Sequence, residues 1–412
     1  MSDHILDYAA VGVGPANMSL AALAHRIDGL RGACLERRES FSWHPGLLLP
    51  EATLQVSLLK DLVTLVDPTS PFSFLSFLST TGRLYRFLAA DFPAVLRTEF
   101  NQYLQWVAGQ LPNLTFGADV RSVDFHDGAF HVRTDESEVT ARHLVLGTGL
   151  TPSVPEPFRP FLGPTVFHSG EFLLRAPDVT GRRVVVVGGG QSGAEIVRHL
   201  ATNSSAHSVT WASRRQSFLP MDDSPFANDL YSPEYVRHFH GLPADRKARL
   251  LERQKYTSDG IDLQVLQDIY RLSYRDEFIE NAPGRLRFLP DCTVTALEGG
   301  PDEWKLFTDF TDSSGLDAPA ALAADVVILC TGYAYELPEF MASLAPRLRR
   351  TDGLLDVRDD FSLAWDGPSE NRIYLQNGAR HSWGVADPNL SLLAWRSAVI
   401  LNSMLGETRY AV

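Results

Sequence analysis

Val184-Val185-Val186-Val187-Gly188-Gly189-Gly190-Gln191-Ser192-Gly193 decides how this chain is read. Four consecutive β-branched residues without polar alternation mark a short strand buried on both faces, as in a parallel sheet. Residues 193–200 then place apolar side chains at helical spacing, and 209–213 forms another short apolar run. In a strand, glycine turn and helix of this kind, bare backbone N–H groups and the positive end of the helix face one point, where a pyrophosphate is held. The pattern G-x-G-x-x-G is complete, so a dinucleotide site is expected at Gly188, Gly190, Gln191, Ser192 and Gly193. The following strand ends Trp211-Ala212-Ser213-Arg214-Arg215, with no ribose-binding acid. Ser213, Arg214 and Arg215 would meet a 2′-phosphate, so NADPH is preferred over NADH; the competing reading is that the arginines are solvated surface charges.

The same unit occurs nearer the N-terminus. An apolar run at 5–11 leads into Gly12-Val13-Gly14-Pro15-Ala16-Asn17, followed by helical spacing over 17–30 and a strand at 33–36. Asn17 stands where the third glycine is usual, and the glycines alone would also suit a plain tight turn. Glu36, closing the next strand, lies at the distance where an acid receives a ribose hydroxyl, which favours an adenine dinucleotide at Gly12, Gly14, Pro15, Asn17 and Glu36. An acid at the first site and basic residues at the second suggest FAD followed by NADPH, a path for hydride transfer. Gly147-Thr148-Gly149 and Cys330-Thr331-Gly332-Tyr333 each close a strand and are similar to turns that support cofactor edges in two-dinucleotide flavoproteins, although either alone would be an ordinary turn.

The composition narrows the class. The 412 residues are 44% hydrophobic and 21% charged, the balance of a globular protein of two or three packed units. A formal charge of -13 repels phosphate backbones and anionic lipid, so nucleic acid and membrane surfaces are not expected partners. Cys34, Cys292 and Cys330 are scattered, with no C-x-x-C pair, which argues against a disulfide framework or dithiol centre and for a cytoplasmic setting. Met1-Ser2-Asp3-His4 is acidic where an export signal is basic, and no apolar run approaches the ~18–20 residues that cross a bilayer. His238 and His240 lie two apart on an expected helix, do not share a face, and read as surface residues, not metal ligands.

The expected architecture is α/β, with two Rossmann-like dinucleotide-binding domains and a small helical substrate-binding subdomain. Residues 1–165 and 320–412 form the FAD domain, and 166–319 the NADPH domain, with the helical part at 225–280. Pro152, Pro155, Pro157 and Pro160 mark the crossing between them. Late strands at 285–289, 294–297, 304–308 and 325–330 are expected to rejoin the first sheet.

Five blocks of the chain carry a resemblance. They are Phe41-Ser42-Trp43-His44-Pro45-Gly46; Leu59-Lys60-Asp61-Leu62-Val63-Thr64 with Asp67-Pro68-Thr69-Ser70-Pro71; the second glycine fingerprint; Thr257-Ser258-Asp259-Gly260; and Leu390-Ser391-Leu392-Leu393-Ala394-Trp395-Arg396. In order and over essentially the whole chain, these resemble the microbial N-hydroxylating flavin monooxygenases of siderophore synthesis, most closely the lysine N-hydroxylases. The resemblance implies that NADPH reduces FAD, that oxygen adds to give a C4a-hydroperoxyflavin, and that a primary amine attacks it to become an N-hydroxyamine. No side chain is then catalytic in itself, because the flavin carries the chemistry.

Residue by residue, the resemblance places Lys60 against the carboxylate of an amino-acid substrate, with a surface salt bridge as the alternative. Asn228 and Thr257 become substrate contacts, although a helix-cap role suits Asn228 as well. Ser391 lies near the reacting amine. Trp43, His44, Gln55, Trp383 and Leu390 line the flavin, with buried packing the alternative for Trp43. Trp383 departs from the histidine common in relatives, and Cys330 from an alanine. The expected substrate is L-lysine, with putrescine, cadaverine and L-ornithine as alternatives, and a homo-oligomer, such as a tetramer, is expected. A Baeyer–Villiger or sulfur-oxidising flavoenzyme would share both glycine turns but leave block 59–64 unexplained.

Overall fold

The computed structural model describes residues 5–310 and 319–412. Residues 1–4, read above as unlike an export signal, lie outside the described residues. Both sheets expected from the glycine turns form. The first has seven strands, in the order Leu114–Thr115, Gly32–Leu35, Leu6–Val11, Glu138–Leu146, Ala129–Thr134 and Val120–His126, with Ile373–Leu375 also paired to Glu138–Leu146. Leu6–Val11 runs parallel to both neighbours, and the hairpin 120–134 adds an antiparallel edge. The second sheet is wholly parallel, in the order Leu286–Leu289, Ser208–Ala212, Arg183–Val187, Val326–Leu329 and Val166–His168.

The late strands depart from the expected pairing. Leu286–Leu289 and Val326–Leu329 belong to the second sheet, while Cys292–Gly300, Glu303–Phe310 and Ala321–Ala324 form a separate antiparallel sheet. Val326–Leu329 is buried at all four positions because it fills a place between two other strands of that sheet. The strand that does return to the first sheet is Ile373–Leu375, three residues long and too short for a periodic signal.

Each glycine turn leads into a helix packed on its sheet. Pro15–Ala24 is buried at nearly every position, and Gln191–Asn203 covers the second sheet. The expected helical segment comprises Pro225–Asn228, Pro233–His240, Ala244–Arg253, Tyr256–Asp259 and Leu263–Phe278. Side chains start three of these helices: Ser224, Ser232 and Asp262 accept from the backbone N–H groups of Ala227, Tyr235 and Val265, and proline opens the first two. Such caps contribute about 1 kcal/mol each. Among the described residues no helix is long and apolar enough to cross a membrane, and no cluster of His, Cys, Asp or Glu could hold a metal ion.

Candidate active site

The first glycine turn is shaped by close backbone approach. Gly12 has φ +91°, and a Cβ there would lie 2.6 Å from the Gly147 carbonyl oxygen. The turn at Gly147 thus backs the turn at Gly12. Glu36 accepts from Val13 N at 2.9 Å and from Arg38 N at 3.0 Å, which holds its carboxylate beside the turn with lone pairs to spare. Asn17 points inward. Its amide donates to the carbonyls of Val11 and Gly12, and its oxygen accepts from Gln376. The missing third glycine is therefore replaced by a side chain that ties the strand end to the turn.

At the second turn Gly188 has φ +128°, and its open side is filled by the Cys330 carbonyl. Cys330 is buried, and burial pushes its thiol up to about 12, so it acts as a small apolar residue. The three residues expected to read a 2′-phosphate separate here. Ser213 is 2% exposed, lies under Gly189 and accepts from Arg215 N. Arg215 donates to the carbonyls of Gly189 and Asp259, both at 2.8 Å, and sits 5.5 Å from the Tyr256 ring centroid. Only Arg214 is exposed and free of partners among the described residues. Gln191 is likewise turned inward, bridging Asp262 N and Glu195, while Ser192 is half-buried at the helix start.

Lys60 and Thr257 are brought together by a residue the sequence reading missed. The Lys60 ammonium lies 5.8 Å from the Tyr231 ring centroid, and the Tyr231 hydroxyl donates to the Thr257 carbonyl at 2.7 Å. Lys60 is half-buried, has no carboxylate partner among the described residues, and burial lowers its pKa. Tyr231 follows Asn228 by three residues, so helical spacing was the available signal. Asn228 is exposed on its short helix; its amide nitrogen donates to the carbonyls of Asp223 and Ser224, leaving the side-chain oxygen open. Ser391 is buried, with its hydroxyl donating to Asn389 at 2.7 Å beside half-buried Leu390.

Trp43 packs edge-on against Phe100 and donates its backbone N–H to Asn101. His44 adopts a left-handed conformation, φ 47°, uncommon without a glycine and a mark of a constrained site. The Gln55 amide nitrogen is buried without a partner among the described residues. A buried orphan donor costs about 1–3 kcal/mol unless a ligand meets it. This orphan, with the glycine cradle at Gly12 and the anchored Glu36, fits an FAD. Trp383 is buried between the Phe361 ring at 4.1 Å and the His240 ring at 4.3 Å, both nearly parallel. His240 is therefore not the surface residue expected: its Nδ1 lies 3.1 Å from the Ser382 hydroxyl, and burial lowers its pKa.

Comparison with known proteins places this geometry in a family. The profile of the family described as L-lysine 6-monooxygenase/L-ornithine 5-monooxygenase matches residues 4–335. The chain belongs to that family. It is 41% identical over 407 residues to the L-lysine N6-monooxygenase of Escherichia coli, covering 98% of this chain and 95% of the relative. Among solved structures, an FAD-bound cadaverine monooxygenase from Erwinia amylovora superposes with a TM-score of 0.91 at 30% identity, covering 100% and 96% of the two chains. The Kutzneria sp. 744 ornithine N-hydroxylase, solved with reduced FAD, NADP+ and L-ornithine, gives 0.89 at 33% identity, covering 98% and 99%. The chain is an N-hydroxylating flavin monooxygenase of siderophore biosynthesis that uses FAD and NADPH.

Proposed function

We propose that this monooxygenase N-hydroxylates the side-chain amine of L-lysine for a hydroxamate siderophore, with FAD on the seven-stranded unit and NADPH on the five-stranded one. The observation that carries the choice of substrate is the half-buried ammonium of Lys60 beside Tyr231 and Thr257, with no carboxylate partner among the described residues. An amino-acid carboxylate satisfies it, and a diamine leaves it without a counter-ion.

In this reading Gly12, Gly14, Pro15 and Glu36 hold FAD at the pyrophosphate and ribose, while Gln55, Trp43, His44 and Leu390 line its ring. Asn17 and Trp383 serve the same site from behind, as braces. Gly188, Gly190, Ser192 and Gly193 hold the NADPH pyrophosphate, and Arg214 its 2′-phosphate. When bound, FAD reduced by NADPH would supply the electrons that activate molecular oxygen for transfer to the amine. The chain's own residues hold the amine. Lys60 fixes the carboxylate, the open oxygen of Asn228 accepts from the substrate's α-ammonium, and Thr257 and Ser391 border the path to the reacting nitrogen. That nitrogen must be neutral to act as a nucleophile, although a free lysine amine has a pKa of ~10.4, so a dry pocket assists by disfavouring its charged form.

A diamine is the second reading, favoured by the full-length likeness to the cadaverine monooxygenase. One carbon of chain length is worth only ~1–3 kcal/mol in an apolar pocket, so direct comparison decides. Hydroxylamine formation from lysine, ornithine, cadaverine and putrescine is measured alongside peroxide. Lysine is expected to give the highest kcat/KM with least peroxide; a diamine exceeding it overturns the proposal.

A further inference from the structure

Arg396 lies in the helix Leu393–Leu405 and is 2% exposed, yet all three of its guanidinium nitrogens are hydrogen-bonded. Nε donates to the Gln376 side-chain oxygen at 3.2 Å, and Nη1 to the Asp387 carbonyl at 2.7 Å and carboxylate at 3.3 Å. Nη2 donates to the Asn377 side chain. The other Asp387 oxygen accepts from Ala379 N at 2.8 Å. One cation thus ties Gln376 and Asn377 to Asp387, closing the segment 376–387 that carries Trp383 and leads directly into Leu390 and Ser391. A buried guanidinium is costly to desolvate, and packing alone would be served by an apolar side chain.

The connection continues. Gln376, fully buried, passes its amide to the Asn17 oxygen at 2.8 Å, and Asn17 in turn holds the carbonyls of Val11 and Gly12. An unbroken chain of buried side chains therefore runs from the first glycine turn, through Asn17, Gln376, Arg396 and Asp387, to the segment bearing Ser391. It also accounts for asparagine at the third fingerprint position, where a glycine would leave Gln376 without its acceptor.

We propose that Arg396 is a positioning residue for amine oxidation: it registers the Ser391 segment against the turn at Gly12–Gly14, so that occupancy of the first dinucleotide site organises the amine site. This rests on the function proposed above. The full chain is tested as wild type, Arg396→Lys, and Gln376→Leu, which keeps the Arg396–Asp387 pair and serves should the first variant not fold. Hydrogen exchange with and without FAD is one readout; hydroxylamine and peroxide per NADPH is the other.

In the wild type, FAD is expected to slow exchange at least tenfold across both 12–17 and 376–391. In the variants, protection persists at 12–17 and is lost across 376–391. NADPH oxidation stays within about twofold, hydroxylamine per NADPH falls about tenfold with peroxide taking its place, and KM for the amine rises several-fold. Wild-type coupling and exchange in both variants would overturn the proposal, as would FAD affinity, NADPH oxidation and coupling falling in one proportion. If the wild type hydroxylates none of the four amines, the substrate reading fails, and the exchange pattern still decides the role of Arg396.

Discussion

Arg97 and Glu195 meet in a bidentate ion pair, 2.9 Å on each arm, with Glu195 2% exposed. The pair joins the helix Arg97–Ala108, packed in the core of the first sheet, to Gln191–Asn203 on the second. Gln191 donates to Glu195 at 2.7 Å and accepts from Asp262 N at 2.8 Å, while Arg97 also reaches the Thr53 carbonyl, two residues before Gln55. One network therefore spans the first unit, the second unit and the helical segment.

Glu195→Gln is expected to unlock that junction. Removing one partner of a buried ion pair costs about 3–5 kcal/mol, because the other charge stays behind. Hydride transfer needs two bound dinucleotides in register, so anaerobic flavin reduction by NADPH should slow at least tenfold while FAD affinity holds. Stopped-flow absorbance at the flavin band measures the first, and fluorescence titration the second. Unchanged reduction would show that the pair stabilises without aligning.

Arg214 and Arg215, adjacent in sequence, are expected to behave oppositely. Arg214 is exposed and unpartnered among the described residues, so Arg214→Ala should raise KM for NADPH about 10–100-fold, equivalent to ~1.5–3 kcal/mol for a charged hydrogen bond, and leave NADH unaffected. Arg215 braces the Gly189 and Asp259 carbonyls, so Arg215→Ala should weaken both nucleotides and lower Tm. Steady-state kinetics with each nucleotide separates the two. Equal loss of NADPH and NADH in Arg214→Ala would mean that it does not read the phosphate.

These cases show where the sequence was informative. Both glycine turns, their strands and the helical segment could be read because uninterrupted apolar runs and backbone geometry at glycine leave local patterns. Side-chain direction leaves none: Ser213, Arg215 and Gln191 have the residue types a nucleotide wants, yet each turns inward to satisfy a buried backbone group. Tyr231 between Lys60 and Thr257, and His240 against Trp383, are set by packing between segments distant in the chain. The misassigned strand 326–329 has the same origin, since a buried apolar run is compatible with either parallel sheet and only tertiary contacts choose.

His143 should make the first unit acid-sensitive. It lies on Glu138–Leu146 and accepts through Nδ1 from Arg372 N at 3.2 Å, beside the pairing of Ile373–Leu375. Burial, then the nearby arginines, lower its pKa to about 4 from 6.5. The unfolded chain therefore binds a proton below about pH 6.5 that the folded chain refuses until about pH 4, and stability is lost as pH falls through that window. The contribution is roughly 2 to 3 kcal/mol between pH 7 and 4.5. His143→Asn keeps an acceptor and removes the titration, so its urea unfolding free energy should fall less than the wild type's over that interval. An identical pH dependence would exclude His143 as the source.

Lys60 sets the last expectation. With its pKa lowered by burial, it loses its charge at a lower pH than an exposed lysine, and its hold on a carboxylate weakens as pH rises through that value. The substrate amine moves the other way, becoming nucleophilic as it deprotonates. The kcat/KM for lysine should therefore be bell-shaped in pH, the alkaline limb belonging to Lys60. Lys60→Arg keeps the cation charged and should move that limb upward, whereas Lys60→Ala should raise KM for lysine about 10–100-fold with flavin reduction unchanged. A pH profile of the three enzymes on lysine, repeated with cadaverine, checks this: cadaverine lacks the carboxylate, so its KM should be indifferent to the alanine variant. Equal loss on both substrates would mean that Lys60 shapes the pocket without pairing with an anion.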